Sequence, residues 1–366
     1  MPRYESTATL LNAPPVAEQH QAARKVLNDS LSISLFAYAG VLLRIAVKAV
    51  SASTGSSLLG GFGHGYFLQN TLGSLLMGFS KARTTSSPSA ELLAAGFTTG
   101  LCGCLTTFAT WMLSVNAALR GESAPSEEMD HNGTACTVND GSGSAWDSVA
   151  MSTLGCVVAL ASLRFGRQLA KTLHPSLLPD TAWNWIHGLF SEHGETAVLL
   201  CLLLPVTLLV WILAAQDFAT PAAAGSPPSD RWLAVAFAPL GAVLRYRLSK
   251  LNGKVLPHFP VGTFAANVAG SMIAAVLSIA ASSLDANVSP ARVAVLTAAG
   301  TGFTGSLSTV STFVNELDGL GTAPDADRPG GVGIVAGWRP YVYAAGSIVS
   351  VQAALLALHA LNALAE

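Results

Sequence analysis

The sequence predicts an all-α polytopic membrane protein: two four-helix repeats in antiparallel, inverted topology, joined by one linker transmembrane helix. Nine spans are expected, with the amino terminus inside and the carboxyl terminus outside. Three observations carry this prediction. Only 11% of the 366 residues are charged and 51% are hydrophobic, against roughly 25% charged in a soluble domain. Apolar runs close to the ~20 residues that cross a bilayer as helix recur along the chain. Three short motifs also appear twice, in the same order.

Residues 1–30 read as a disordered cytosolic tail, polar and carrying Pro14-Pro15 and Arg24-Lys25. The first apolar run starts near Leu31, so no signal peptide is expected. Spans follow at 31–50, 66–80, 89–119 and 145–163, then at 196–215, then at 232–247, 260–282, 291–317 and 337–363. They divide the chain into a first four-helix domain (31–163), a cytosolic connector (164–195), a linker helix (196–215) and a second four-helix domain (232–363). The linker, TAVLLCLLLPVTLLVWILAA, has no charge. Stretches 89–119 and 291–317 are longer than a span requires and carry Gly, Ser and Thr in mid-run, which weakens the helix. Backbone broken at membrane depth survives only where protein or a water-filled path surrounds it. These two stretches are therefore the candidate pore elements.

Orientation follows from Lys and Arg. Clusters at Arg24-Lys25, Lys81-x-Arg83, Arg164 through Lys171 and Arg245 through Lys254 all face the cytosol if the amino terminus is inside. The same choice puts the sequons at Asn132 and Asn287 outside. The repeats are read from three pairs. GVLLR (40–44) answers GAVLR (241–245), QNTLGSLL (69–76) answers ANVAGSMI (266–273), and GCLTTFATW (103–111) answers GSLSTVSTF (305–313). A single helix between the copies reverses the second copy in the membrane.

Composition excludes several functions. The net charge of −2 comes with no basic stripe, so nucleic acid is not an expected partner. Five cysteines make no disulfide framework, and Cys102-x-Cys104 reads as small core filler. Cys136 falls in an external loop. His64, His131, His174, His187, His193 and His258 fall in loops without shared ligand spacing, and His359 alone lies within a span. No nucleophile–base or metal constellation suggests an enzyme.

The order Gly-x-x-x-Arg, then Asn-x-x-Gly-Ser, then Gly-x-x-Thr-Thr-Phe-Ser-Thr-Phe resembles the Fluc/CrcB fluoride channels. The duplicated form with a linker helix is similar to the family's two-domain eukaryotic branch, the fluoride exporters (FEX). The likeness covers residues from about 31 to 363. It implies four-helix units that pair antiparallel, with fluoride passing at their interface. It also implies a passive, fluoride-selective channel of the plasma membrane that protects against fluoride toxicity. Fluoride and membrane lipid are then the expected partners, and a monomer is sufficient because one chain holds both halves. The rival is a proton-coupled transporter of fluoride or another small solute, for which Asp147 is the only candidate proton carrier at a span edge.

Fluoride is tightly hydrated, so a pore has to replace its water with donors. Asn70 and Asn267 offer amide N–H groups, and Thr107, Thr110, Thr309 and Thr312 offer hydroxyls. The alternative for all six is bridging between helices. Phenyl rings present a positive edge to an anion, and conduction favours weak, serial sites. The family pattern has two Phe three residues apart. The first copy gives Phe108 and Trp111, the second Val310 and Phe313. If each pore draws one aromatic from each domain, Phe108 with Phe313 makes a conducting pore, and Trp111 with Val310 a degenerate one. The alternative is neutral repacking around Trp111. The resemblance further implies a structural sodium ion on the backbone carbonyls of Gly103, Thr106, Gly305 and Ser308. It implies a hydroxyl track on the last helix of each unit as well, with Tyr343 and Ser347 in the second and Ser148 and Ser152 in the first. Arg44 and Arg245 match the family's first-helix Arg and are expected near a membrane face, snorkelling or pairing with backbone, as structural residues, with anion attraction at a vestibule as the alternative. Glu316 matches the family's Glu, with Ser114 as its counterpart in the first copy.

Overall fold

The computed structural model describes residues 16–53, 66–82, 87–121, 145–173, 194–219, 230–284, 290–322 and 337–365. Every regular element among them is helical. The first copy contains α1 (Val16–Ser53), α2 (Phe67–Lys81), α3 (Pro88–Ala95), α4 (Phe108–Leu119) and α5 (Ala145–Thr172). Helix α6 (Glu195–Ala219) links it to the second copy, formed by α7 (Arg231–Ser249), α8 (Val261–Ser282), α9 (Pro290–Ala299), α10 (Val310–Thr322) and α11 (Arg339–Ala365). Between α3 and α4 the chain runs through a π-helical stretch (Gly96–Cys102) and one short turn (Gly103–Leu105) before two extended residues. The second copy repeats this with Gly300–Thr304 and Gly305–Leu307. Both long stretches are therefore broken, at 106–107 and 308–309.

Seven helical segments among the described residues are long and apolar enough to cross a membrane, counting α3 to α4 and α9 to α10 as one segment each. The two others at expected spans are α2, with 15 residues, and α7, whose 19 residues include three arginines. Local signals set several ends. Ser87 caps α3 by accepting the Ala90 amide at 3.2 Å, with Pro88 just behind it. Pro205 lies inside α6 and Pro239 inside α7 without ending either helix, as happens where neighbouring helices and local adjustment re-satisfy the freed carbonyl.

Two boundaries differ from expectation. The stretch expected as tail, residues 1–30, is helical from Val16 onward. Its run of Ala, Gln, Glu, Arg and Lys has high helix propensity, and side chains near its end are tied down. The Tyr246 hydroxyl donates to Asp29 at 2.5 Å, and Asn28 donates to Glu195 at the start of the linker helix at 2.9 Å. The connector expected from 164 begins as helix, because α5 continues to Thr172. Arg164 and Arg167 on this extension reach Asp318 of the other copy, Arg164 Nε at 2.7 Å. Residues 1–15, Arg83, both sequons, Cys136, His64, His131, His174, His187 and His193 lie outside the described residues.

The packing repeats with the copies exchanged. Helix α1 packs on α7, and the linker α6 covers both. Helix α4 of the first copy lies against α8 and α11 of the second, while α10 of the second lies against α2 and α5 of the first. Close approach depends on glycine in matched places. A Cβ on Gly40 would come within 2.6 Å of the Leu101 carbonyl, and one on Gly241 would overlap that of Phe303. Helices α2 and α5 interlock through Gly78 against the Leu163 carbonyl and Gly166 against that of Leu75. Small-residue contacts of this kind let helices associate in lipid, where no hydrophobic force drives them together. Gly78→Leu should therefore force α2 off α5 at an overpacking cost of about 1–3 kcal/mol. A lower melting temperature of the purified protein in detergent is the expected result.

Candidate functional site

The two breaks face each other, and each is capped by the opposite copy. The Thr106 hydroxyl accepts from the amides of Val310 and Ser311, both at 3.2 Å, which open α10. The Ser308 hydroxyl accepts from the amide of Ala109 at the start of α4, at 3.0 Å. The Ser311 hydroxyl returns across the interface to the Cys102 carbonyl at 3.2 Å, and Thr106 and Thr309 oxygens stand 3.1 Å apart. An N-cap is normally supplied by the residue just before the helix. Here part of each cap comes from a segment some two hundred positions away. Thr107 adds the ordinary local cap for α4, accepting from Thr110 N at 3.3 Å.

Asn70 and Asn267 complete the breaks. Asn70 Oδ1 accepts from Thr107 N at 2.8 Å, and its Nδ2 donates to Thr107 O at 3.2 Å. Asn267 does the same to Thr309, at 2.7 and 3.2 Å. Both asparagines were expected as donors to the ion. The structure turns their amides to the peptide groups of the breaks, which would otherwise be orphaned, a positioning role that uses one of the two hydrogens on each Nδ2. Thr107 and Thr309 are likewise taken up at the breaks, while Thr110 is exposed on the protein and Thr312 half-buried. The glycines beside the asparagines make room. A Cβ on Gly73 would collide with the Thr106 methyl, and one on Gly270 would meet Ser308 Cβ at 3.0 Å.

Arg44 and Arg245 were expected as structural residues near a membrane face, pairing with backbone or lining a vestibule; the backbone pairing is present, and the depth differs. Both are buried, at 6% and 2% exposure, against the breaks. Arg245 donates from Nε to Ser306 O at 2.9 Å and from Nη2 to Thr99 O at 2.7 Å, so it bridges the copies. Arg44 donates to Thr301 O of the second copy. The correction has a physical reason. Gly103 and Gly305 lack a Cβ at the point where each guanidinium lies, which opens a pocket lined by helix-terminal carbonyls. Those carbonyls carry partial negative charge.

The donor set expected for sodium can be tested against these bonds. The amide that would close a helical turn on Gly103 O is Thr107 N, and on Gly305 O it is Thr309 N; both are given to the asparagines. Thr106 and Ser308 are extended, with ψ of 151° and 154°, so their carbonyls leave the helical direction. Neutral carbonyl oxygens released in this way fit a hard cation. The neighbouring guanidiniums add positive charge to the same region.

The aromatic residues form one chain of rings through both copies. Tyr66 meets Trp111 at 6.5 Å between centroids, Trp111 meets Phe108 at 5.4 Å, and Phe108 meets Phe313 edge to face at 5.3 Å. Phe313 meets Tyr343 at 5.1 Å, and Tyr343 meets Phe259 at 5.2 Å. The structure thus brings Phe108 and Phe313 together. Trp111 is held on the other side, with its indole N–H donating to Met151 O at 3.2 Å and its ring filling the space left by Gly155. Val310 is fully buried in the same core. On α11, Tyr343 donates to Glu316 at 2.7 Å, and one turn further Ser347 is buried with no partner for its hydroxyl among the described residues. On α5, Ser148 donates to Val115 O at 3.2 Å and Ser152 is half-buried.

Glu316, matched to the family's Glu in the sequence, also accepts from Thr263 at 2.6 Å and Asn252 at 2.8 Å. Other polar residues escaped the sequence reading. Asp318 is buried beside Arg164, Arg167 and Asn315, and Asn116 is buried beside Gln352. The available signal was polarity inside an apolar run, which is costly in lipid and marks function or pairing. Asp147, the carboxylate that was singled out, is exposed in the first turn of α5. Asn70→Ala and Asn267→Ala should each destabilise the fold by about 1–3 kcal/mol, since each leaves a buried peptide group unsatisfied. Thermal unfolding in detergent would check this, with an unchanged melting temperature arguing against the positioning role.

Comparison with known proteins agrees with this duplicated arrangement. The family model described as CrcB-like protein, Camphor Resistance (CrcB), matches residues 31–161 and again 232–357. Fluoride export protein 1 of Neurospora crassa is 30% identical over 243 residues, covering 62% of this chain and 43% of that protein. The protein of the same name from Candida albicans is 44% identical over 92 residues, or 24% of each chain. The fluoride-specific ion channel FluC of Proteus mirabilis is 42% identical over 81 residues, 22% of this chain and 62% of that one. The matched regions span less than half the length of either fungal relative. No solved structure matches. With the family model matching both halves, each including its own break and asparagine, the chain belongs to the CrcB-like family and carries the family's domain twice.

Proposed function

We propose that the protein is a passive, fluoride-selective export channel of the plasma membrane, with one conducting path. Nine spans, the amino terminus inside and a monomer holding both pore halves complete this reading. In this reading α2 counts as a span, and α7 does because Arg245, the one arginine in its interior, is buried against neighbouring helices, while Arg231 and Arg247 lie at its two ends. The observation that carries the proposal is the Phe108–Phe313 pair, in which rings from two copies meet at 5.3 Å. Their positive edges, with the Ser347 hydroxyl, unpartnered among the described residues and on the same helix as Tyr343, offer an anion weak donors in series; the Tyr343 hydroxyl joins them where it exchanges its bond to Glu316 for the ion. Weak sites let the ion leave again. Fungal relatives named for fluoride export and a bacterial one named as a fluoride-specific channel support the same assignment.

The physiology needs no pump. External acid makes membrane-permeable HF, which ionises inside and is trapped as the anion. An inside-negative potential drives the anion out at about 2.3 kcal/mol per charge for each 100 mV. The second path, between α4, α10 and α5, is disabled in this proposal. Trp111 fills it against Gly155, and Val310 presents no ring edge. Sodium would be held by the carbonyls of Gly103, Thr106, Gly305 and Ser308, and when bound would supply a fixed positive charge tying the two breaks together.

The test is fluoride efflux from liposomes holding the purified protein, driven by a potassium-diffusion potential, with chloride measured in parallel. Rapid fluoride efflux without chloride efflux is expected; efflux only under a proton gradient would overturn the passive reading. Phe108→Ala and Phe313→Ala should each lower efflux at least a hundredfold. Trp111→Phe combined with Val310→Phe should leave it unchanged, and equal loss from either pair would sink the single-path reading. Replacing sodium by N-methylglucamine should lower the melting temperature in detergent, since an ion that binds only the folded state stabilises it. An unchanged melting temperature would remove the ion from the proposal.

A further inference from the structure

Beyond the aromatic pair, α4 carries Phe108, Met112, Asn116 and Arg120 at steps of four residues, which places them on one helix face. From Phe108 to Asn116 the rise is about 12 Å. Asn116 on this face is fully buried and donates from Nδ2 to Gln352 Oε1 of α11 at 3.0 Å. Gln352 in turn donates from Nε2 to Met112 O at 3.0 Å, with Met112 Sδ at 3.5 Å. Arg120 at the end of α4 donates from Nε to Asn116 Oδ1 at 3.2 Å. An amide nitrogen has two hydrogens, and the bond to Gln352 uses one. The guanidinium on Oδ1 polarises the amide, which strengthens its remaining donor.

The matched face of α10 reads Val310, Val314, Asp318 and Thr322. Where the first copy has the neutral Asn116, the second has a carboxylate, buried and held by Arg164 at 2.7 Å and by Arg167. Asn116 packs toward α11, on the side of the Phe108–Phe313 pair. Asp318 packs toward α5, on the side of Trp111. Asp318 is neutralised by its two arginines and offers only acceptor oxygens, so the copy difference places an amide donor in the path with two Phe and an ion-paired acceptor in the path that Trp111 fills.

We propose that Asn116, oriented by Gln352 and polarised by Arg120, is a further fluoride-coordinating station between the aromatic pair and the pore mouth at the carboxyl end of α4. This inference rests on the fluoride path proposed above. A bridging role alone would need only that the contact between α4 and α11 survive. Asn116→Asp separates the two roles. It is isosteric, pairs with Arg120, and accepts from a flipped Gln352 amide in exchange for that amide's bond to Met112 O, so one bond between α4 and α11 is kept while the donor is replaced by an anion.

The experiment is fluoride efflux at neutral pH from liposomes holding wild type, Asn116→Asp, Asn116→Leu, Arg120→Gln or Asp318→Asn, each first checked by elution profile and melting temperature. Asn116→Asp and Asn116→Leu should lower fluoride turnover at least tenfold and Arg120→Gln about three- to tenfold. Asp318→Asn should stay within twofold of wild type. Wild-type turnover in folded Asn116→Asp overturns this inference alone, and so does a tenfold loss in Asp318→Asn. A wild-type protein that moves no fluoride overturns the channel reading and this station with it.

Discussion

The rest of the molecule depends on one requirement, that peptide groups freed by a helix break at membrane depth still find partners. Lipid offers none, and each buried group left unsatisfied costs several kcal/mol. The protein meets the requirement reciprocally, with the Thr106 hydroxyl on the start of α10 and the Ser308 hydroxyl on the start of α4. Asn70 and Asn267 bracket the peptide groups that remain. The small residues of α2 and α8 follow from the same demand, because a larger side chain at Gly73 or Gly270 would push the capping hydroxyls away. The duplicated, hydroxyl-rich motif therefore has a backbone reason before any transport reason.

That distinction explains which letters the copies share. Residues that answer peptide groups are kept in kind: Asn opposite Asn, Thr106 opposite Ser308, Gly opposite Gly. Residues assigned to the proposed paths have separated. Phe108 stands opposite Val310, Trp111 opposite Phe313, and Asn116 opposite Asp318. Fusion into one chain permits this, since each copy then occupies one fixed place and no longer has to serve both. The central arginines belong to the first class. Their guanidiniums meet carbonyls of the breaks, whose partial negative charge offsets part of the cost of burying two cations; among the described residues neither makes an ion pair at contact distance.

Much of this was legible in the sequence and some was not, for identifiable reasons. The scarcity of charge predicted the class, and glycines 96, 100, 103, 300, 302 and 305 within overlong apolar runs predicted the breaks. The pairing of Phe108 with Phe313 followed from reading the copies against each other. The depth of Arg44 and Arg245 did not, because a position near a helix end says nothing of the pocket that a missing Cβ at Gly103 or Gly305 opens. The positioning role of Asn70 and Asn267 was not foreseen, since one amide serves an ion or a peptide group equally well. Asp318 was lost when the span was ended at 317, although α10 continues to Thr322. Residues 16–30 were judged by polarity, while their helix is held by Asp29 and Asn28 contacts with distant segments.

Cross-capping also has a consequence in time. The Ala109 amide and its Ser308 partner are 199 positions apart. At the usual ~5–20 residues per second of synthesis, the first copy emerges roughly 10–40 s before the second copy's serine exists. Throughout that interval the start of α4 has its local Thr107 cap but lacks the one from Ser308. The group that completes it is the ribosome's own later product, so the first half reaches its final hydrogen bonding only after the second has been made.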